Sequence, residues 1–352
     1  MLRNYNGKKA IAVLELSSTA IKRLTGVPKE CLGNTNDLRR FNDKVMYVDV
    51  AKYIDDSNSL SVVEYNKGVM PYIMESIKYI QNKAPQIYQI VLTGLYRTII
   101  NRNELENLLT TEIAKLKRAQ PISIKLLSSE EESQLSFLSW FETTSETESD
   151  PSTHDNFFMF NKGLNIDVGG GTTEISIVSF GSFRDTISLP FGAAQLYLQI
   201  KNTHYIDKRH FYKDIDDKAI KLQNSITTIL KTKFPTFDKL FYCICSGSNV
   251  IILGGDSEIN SRLHRDISRI NWNIKEHRNM MIDIIYPYLN KKQLIPEKHE
   301  KLFKGYCSFI ILKSIVEYFS LQSYIINKAN LRIGVFYDLL NTIKYNENKD
   351  QF

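Results

Sequence analysis

The sequence predicts an α/β protein made of two lobes. Three observations carry that expectation: an apolar run in mid-chain that ends in a carboxylate and turns through three glycines, a weaker copy of the same pattern near the N-terminus, and strand-like runs alternating with helical ones. At 352 residues the chain is long enough for two domains of ordinary size, each with its own core.

The first lobe is read over residues 1–128. Strand-like runs fall at Ala10–Leu16, Ile21–Val27, Val45–Val50 and Ile87–Thr93, helical patterns at Met70–Asn82 and Asn103–Lys117, and Ile122–Leu127 reads as the last strand. Ser129 is expected to cap the next helix, with Glu130, Glu131 and Glu132 in its first turn, where the helix dipole favours negative charge. The second lobe, 129–332, holds a strand at Lys239–Cys245 and helices at Trp272–Leu289 and His299–Tyr318. A last run, Ile333–Tyr345, is helical and apolar on one face. Residues 142–156 are acidic and nearly devoid of apolar side chains. Such a segment cannot bury enough surface to offset its ordering entropy, so a mobile surface loop is expected.

The most informative stretch is Leu164–Phe180, LNIDVGGGTTEISIVSF. Asp167 closes an apolar run, Gly169, Gly170 and Gly171 form the turn with Thr172 and Thr173, and an alternating run leaves through Glu174. Glycines open backbone conformations closed to other residues and remove the Cβ that would hold a ligand away. Converging N–H groups then suit an anion, and Asp167 is placed to hold a cation directly or through water. No Gly-Lys-Ser/Thr opens a helix, so this is not a P-loop. Near the N-terminus Ala10–Val27 repeats the pattern more weakly. Laying Glu15 on Asp167 puts Ser17, Ser18 and Thr19 on the three glycines. Two such hairpins suggest related lobes offering phosphate loops to a shared cleft, where ligands commonly bind.

The order of motifs resembles the exopolyphosphatase / guanosine-pentaphosphate phosphohydrolase (Ppx/GppA) family of the actin–Hsp70–sugar kinase superfamily, from about Ala10 to Leu340. LNIDVGGGTTE resembles the family's glycine loop. TGLYRTIINRNEL (Thr93–Leu105) resembles its T-x-x-x-R-x-A-x-N segment and places Arg97 and Asn101. ISIKLLSSEEESQLSFL (Ile122–Leu138) resembles the strand and helix start bearing S-G-x-E-E-A-x-L. SLPFGAAQL (Ser188–Leu196), CSGSNVIIL (Cys245–Leu253) and NLRIGVFYDLL (Asn330–Leu340) resemble the remaining motifs. The resemblance implies two ribonuclease H-like (actin-like ATPase) lobes with an interdomain cleft, the C-terminal helix, 333–352, packing back on the first lobe.

It also implies a Mg²⁺-dependent phosphohydrolase that releases terminal phosphate from inorganic polyphosphate or a guanosine pentaphosphate. Glu132 falls on the family's catalytic base, with a one-residue ambiguity among Glu130, Glu131 and Glu132, and Arg97 brings positive charge to the phosphate. Gly169, Gly170, Gly171, Thr172, Thr173, Ser17, Ser18, Thr19, Gly247 and Ser248 are expected to cradle phosphate. Asp167, Glu174 and Glu15 are expected around the metal. The first loop departs from the family's D-x-G-S-N-S: Glu15 is longer than Asp, Ser17 replaces glycine and Thr19 loses the amide. Asn249 and Ile333 are further departures. These leave open an alternative, a non-catalytic member that binds an alarmone or nucleotide as a sensor. An ATPase or kinase activity is a weaker third reading.

Composition sets the remaining bounds. Hydrophobic residues make up 43% and charged residues 24%, as in a soluble globular protein. No apolar run reaches a membrane span, and MLRNYNGKKA lacks the apolar core of a signal peptide, so a cytoplasmic protein is expected. Four cysteines, Cys31, Cys243, Cys245 and Cys307, lack metal-ligand spacing, and Cys243 and Cys245, alternating on a strand-like run, read as buried thiols. The net charge of +6 suits an anionic partner. Basic residues in Arg262–Arg278 read as a solvated face. No motif implies nucleic acid. Dimerisation is common in the family, without a sign of it in this sequence. The chain resembles the short, two-domain members.

Overall fold

The computed structural model describes residues 10–27, 41–55, 57–83, 85, 87–116, 122–145, 161–179, 182–247, 250, 274–291, 293–321, 325–327 and 330–349. They form two compact units, Met1–Ser139 with Leu331–Phe352, and Trp140–Asn330. Each unit is built on one five-stranded sheet.

In the first unit the sheet order is β3-β2-β1-β4-β5, from β1 (Ile11–Leu16), β2 (Ala20–Gly26), β3 (Phe41–Tyr47), β4 (Ile87–Leu92) and β5 (Ser123–Leu126). β1, β2 and β3 are an antiparallel meander, whereas β4 lies parallel to β1 and β5 parallel to β4. β1 is buried along its whole length because it is central and covered on both faces. One face packs α1 (Val62–Gly68), α2 (Met70–Gln81) and α3 (Arg102–Ala114) through a cluster including Leu14, Leu16, Ile73, Ile77, Ile90 and Leu109. The other face, with Ile11, Val13 and Leu24, receives Leu135 of α4 (Ser129–Ser145) and Leu331, Val335 and Phe336 of the C-terminal helix. That helix runs Leu331–Lys349. A Cβ on its Gly334 would lie 1.8 Å from the Leu135 carbonyl oxygen, so the close approach to α4 requires glycine.

The second unit repeats the order as β10-β9-β6-β7-β8. β6 (Lys162–Val168), β7 (Thr173–Ser179) and β8 (Ser182–Leu189) form the meander, and β9 (Tyr242–Ser246) and β10 (Ile325–Ile326) run parallel to β6. α5 (Ala193–Lys201), α6 (Lys208–Lys233), α7 (Ile274–Asn290) and α8 (Glu297–Tyr318) supply its helical layer. A three-stranded meander extended by two parallel strands in this order is the ribonuclease H-like lobe, present twice. The C-terminal helix, hereafter α9, closes the first unit.

Several elements differ from the expectation. The sequence puts the lobe boundary at 128/129, but the first unit extends to Ser139 because α4 begins by packing Leu135 into that unit's core. β3 starts at Phe41 rather than Val45: as an edge strand with Asn42, Asp43 and Lys44 exposed, it carries no apolar alternation to read. β8, α5 and the long α6 are additional. Ser128, not Ser129, caps α4. Its Oγ accepts from the Glu131 N–H at 3.1 Å, and its own N–H donates to Glu131 Oε2 at 2.8 Å, a reciprocal capping box. Cys243, Cys245 and Cys307 are buried, with the Sγ atoms of the first two 3.6 Å apart. The segment 142–156, expected as a loop, begins as helix, since α4 continues to Ser145. Its remainder, 146–156, lies outside the described residues, as do Cys31 and the basic residues from Arg262 to Arg269; Lys275, His277 and Arg278 have only their backbone described.

Candidate active site

In the first unit three loops gather where β1, β4 and β5 end on the same edge of the sheet. The turn after β4 needs a left-handed residue and finds it in Gly94, at φ 56°. A 3₁₀ turn, Gly94–Arg97, follows and sets Arg97. The loop after β5 is fixed to β4 by the Leu127 N–H, which donates to the Leu92 carbonyl at 3.0 Å. Arg97 donates through one guanidinium nitrogen to Glu132 Oε2 and to the Leu127 carbonyl. The Gly94 N–H reaches the same Glu132 oxygen at 3.4 Å.

The three glutamates of α4 have different surroundings. Glu131 completes the capping box and pairs with Lys125 at 2.8 Å, and the exposed Glu130 accepts from the half-buried Gln134. Glu132 alone is buried. Burial pushes its carboxyl up, Arg97 pulls it back, and the charge of Glu15 adds to the rise, leaving the carboxyl above its ordinary value of 4.5. Asn101 has a different task. Its side-chain amide donates to the Leu60 carbonyl and accepts from the Leu60 N–H, at 3.0 and 2.8 Å, clamping the segment before α1.

The first loop and the glycine loop are the same turn. Ser17 N–H donates to the Ala20 carbonyl at 2.9 Å, and Gly169 N–H donates to the Thr172 carbonyl at 2.9 Å. Among the described residues no acceptor engages the N–H groups of Ser18 and Thr19 in one loop, or of Gly170 and Thr172 in the other. Neither turn uses left-handed backbone, since the described glycines with positive φ are Gly94 and Gly247. The expectation that the glycines serve conformational freedom is therefore corrected, and Ser17 imposes no strain of that kind. What the glycine loop needs is room. A Cβ on Gly192, the N-cap of α5, would stand 2.3 Å from the Gly170 carbonyl carbon. The Ala193 and Ala194 N–H groups bond the Gly169 and Gly170 carbonyls at 3.0 and 2.9 Å, seating the turn on the helix N-terminus. Gly192 is thus a site residue that the sequence reading kept only as part of a motif.

The rest of the second unit's site surrounds that turn. Asp167 is half-buried and faces Glu174 across the β6–β7 pair. Glu174 is buried and accepts from Ser188 Oγ at 3.0 Å. The Thr173 hydroxyl donates to the Phe191 carbonyl at 2.7 Å, so it braces the chain before Gly192. Gly247 follows β9 at φ 118°, where a Cβ would meet the Val168 carbonyl oxygen at 2.3 Å; Ser248 lies outside the described residues. Among the described residues no group of three or more His, Cys, Asp or Glu is arranged to hold a metal ion.

In the first unit, Glu15 is buried within a charge network. Lys22, its partner across β1–β2, contacts Oε1, and Arg332 of α9 donates to Oε2 at 3.0 Å. Arg332 also binds Asp43 of β3 with two parallel bonds of 3.0 and 2.8 Å. Burial alone raises the Glu15 carboxyl, but Lys22 and Arg332 together outweigh it and hold the carboxyl below its ordinary value.

Residues 46–232, just over half of the chain, match the sequence profile of the Ppx/GppA phosphatase family. The chain belongs to this family. Solved structures agree in fold with this Ppx/GppA protein at low identity. A family member from Aquifex aeolicus is 13% identical, with 95% of this chain and 98% of that one covered at a TM-score of 0.63. An exopolyphosphatase from Cytophaga hutchinsonii is 14% identical, with 95% and 98% covered and a TM-score of 0.61. An exopolyphosphatase-like protein gives 14%, 95% and 99%, and 0.65. No curated protein sequence matches this Ppx/GppA chain. Among its described residues no helix is long and apolar enough to cross a membrane.

Proposed function

We propose that the protein hydrolyses a phosphoanhydride bond, releasing terminal phosphate from inorganic polyphosphate or a guanosine pentaphosphate with Mg²⁺. The observation that carries this reading is Glu132, a buried carboxylate with a raised pKa, held by Arg97 and Gly94 at the carboxyl ends of the strands. A general base for water works best when its pKa lies nearer neutrality than that of an exposed carboxylate. Glu132 orients and deprotonates the water. Arg97, on breaking its pair with Glu132, meets the phosphoryl oxygens. The N–H groups of Gly170 and Thr172, and those of Ser18 and Thr19, donate to phosphate oxygens, with charge on the transferred group stabilised by preorganised donors.

Half-buried Asp167 beside the glycine turn, with Glu174 behind it, fits an ion held by one carboxylate and completed by substrate phosphate and water. It does not fit an all-protein cage. Mg²⁺ bound there supplies charge neutralisation on the phosphates.

A second reading, a sensor that binds an alarmone or nucleotide without turnover, draws on the engagement of both Glu15 oxygens by protein cations. Phosphate release by the purified chain from polyphosphate, pppGpp and ATP, with Glu132→Gln as control, separates the two. Release that falls by roughly 10²–10⁴ in the variant supports the hydrolase. Binding without release in either protein supports the sensor.

A further inference from the structure

The two phosphate-loop hairpins share a turn but differ in the group that faces the carboxylate before it. Glu15 and Asp167 occupy the same place, the last carboxylate before the turn. Across the pair, Glu15 faces Lys22 whereas Asp167 faces Glu174. In the first unit Arg332 then adds a second cation, 3% exposed, bound to both Glu15 and Asp43. Glu15 and Asp43 against Lys22 and Arg332 make a charge-balanced network at the first loop, whereas Asp167 and Glu174 place two carboxylates across from each other at the second. Asp43 completes the balance from the edge strand, where it is one-third exposed.

We infer that Glu15 is the anchor of this charge network rather than a metal ligand, and that Lys22 and Arg332 are positioning residues that hold it and, through it, the end of β1. A carboxylate with both oxygens already bonded to cations, one of them buried, has to break those bonds to meet an ion. A divalent cation approaching Glu15 also meets the charges of Lys22 and Arg332. Glu15 therefore serves the fold rather than a cation. The longer glutamate matches this task, since it reaches an arginine on α9. By the same contact α9 ties β1 to β3, so the C-terminal helix sets the loop that follows β1. This inference rests on the phosphoanhydride reading above, whose metal it assigns to the second unit alone.

The test uses the full-length chain and Mn²⁺ alone, then Mn²⁺ with inorganic phosphate, followed by electron paramagnetic resonance. Asp167→Asn is expected to weaken Mn²⁺ binding by roughly tenfold or more, and Glu15→Gln to leave it within about twofold. A tenfold loss in Glu15→Gln overturns the inference. A thermal cycle gives the second readout. Arg332→Met alone is expected to lower the unfolding temperature by on the order of 5–10 °C, because it strands Glu15 and Asp43. Adding Glu15→Gln to Arg332→Met is expected to recover much of that loss, and strict additivity overturns the network. Should Arg332→Met fail to fold, Lys22→Met with Glu15→Gln gives the same cycle at a less buried partner. If the parent chain takes up no Mn²⁺ even with phosphate, the metal-dependent reading falls, and the thermal cycle still judges the network.

Discussion

Glu132 and Glu15 are both buried carboxylates of the first unit, and their surroundings move them apart. Glu132 has one cation and sits under the field of Glu15, so its carboxyl is raised. Glu15 has two cations and is lowered. This separation is what a site needs when one carboxylate must exchange a proton and another must keep its charge. For a base that works deprotonated, activity is present above its pKa and falls as the pH drops through it. The acid limb of kcat/KM for phosphate release is therefore expected above the ordinary glutamate value of 4.5. Arg97→Met removes the cation that pulls Glu132 down, so the limb is expected to move further up as well as the rate falling. A limb that stays at or moves below its parent position in Arg97→Met would remove Glu132 as the base. Which of three adjacent glutamates is buried was not legible from their spacing alone. It follows from the capping box, in which Ser128 claims Glu131 and so rotates Glu132 inward.

At the scale of elements, the close contacts of glycine decide how loops and helices seat. Gly334 brings α9 against the Leu135 carbonyl, and Gly192 brings α5 against Gly170. Both obstructing groups are backbone, which cannot rotate away as a side chain can. Gly334→Ala is expected to cost about 1–3 kcal/mol, read as a lower urea midpoint at unchanged slope. Gly192→Ala is expected to lower phosphate affinity at a similar or smaller loss of stability, since it displaces the turn whose N–H groups are the proposed donors. An unchanged midpoint for Gly334→Ala would mean that α9 shifts freely, and the Arg332 contact would lose its rigid base. The hairpins, the parallel strands and α9 were legible because burial on both faces writes long apolar runs. β8, α6 and the first half of β3 were not, because an exposed edge strand and a helix solvated along much of one side carry weak periodicity. The glycine loop was legible as a tight turn between two strands, but the reason for its close packing was visible only once Gly192 stood beside it.

For the whole molecule, the duplicated sheet order means that each unit repeats one frame with different chemistry at its loop. The charge network of the first unit makes that frame sensitive to acid. Because the Glu15 carboxyl is depressed, its contribution to stability is complete above the unfolded value of 4.5 and drains as the pH falls through the lower folded value. Glu132 acts with the opposite sign: its raised carboxyl lets the native state bind a proton first, so the fold gains as pH falls toward 4.5. Urea midpoints measured from pH 7 to pH 3 are expected to hold or rise slightly down to about that value and then drop. Glu15→Gln is expected to flatten the drop, and a drop of unchanged size would assign acid sensitivity elsewhere.

Metal should not share in this stability. A structural ion needs several protein donors deprotonated around it, and among the described residues no such group exists. Removing divalent ions with EDTA is accordingly expected to abolish phosphate release while moving the unfolding temperature by less than about 1 °C, because a weakly held ion contributes little by mass action. Adding a phosphate ligand with Mg²⁺ is expected to raise it more than either does alone, since the ion's remaining ligands are the phosphate oxygens and water. Differential scanning calorimetry of the four conditions checks the coupling. A large loss with EDTA alone would place a structural metal in the fold, and purely additive effects of ion and phosphate would separate the cation from the anion that the glycine turn is proposed to hold.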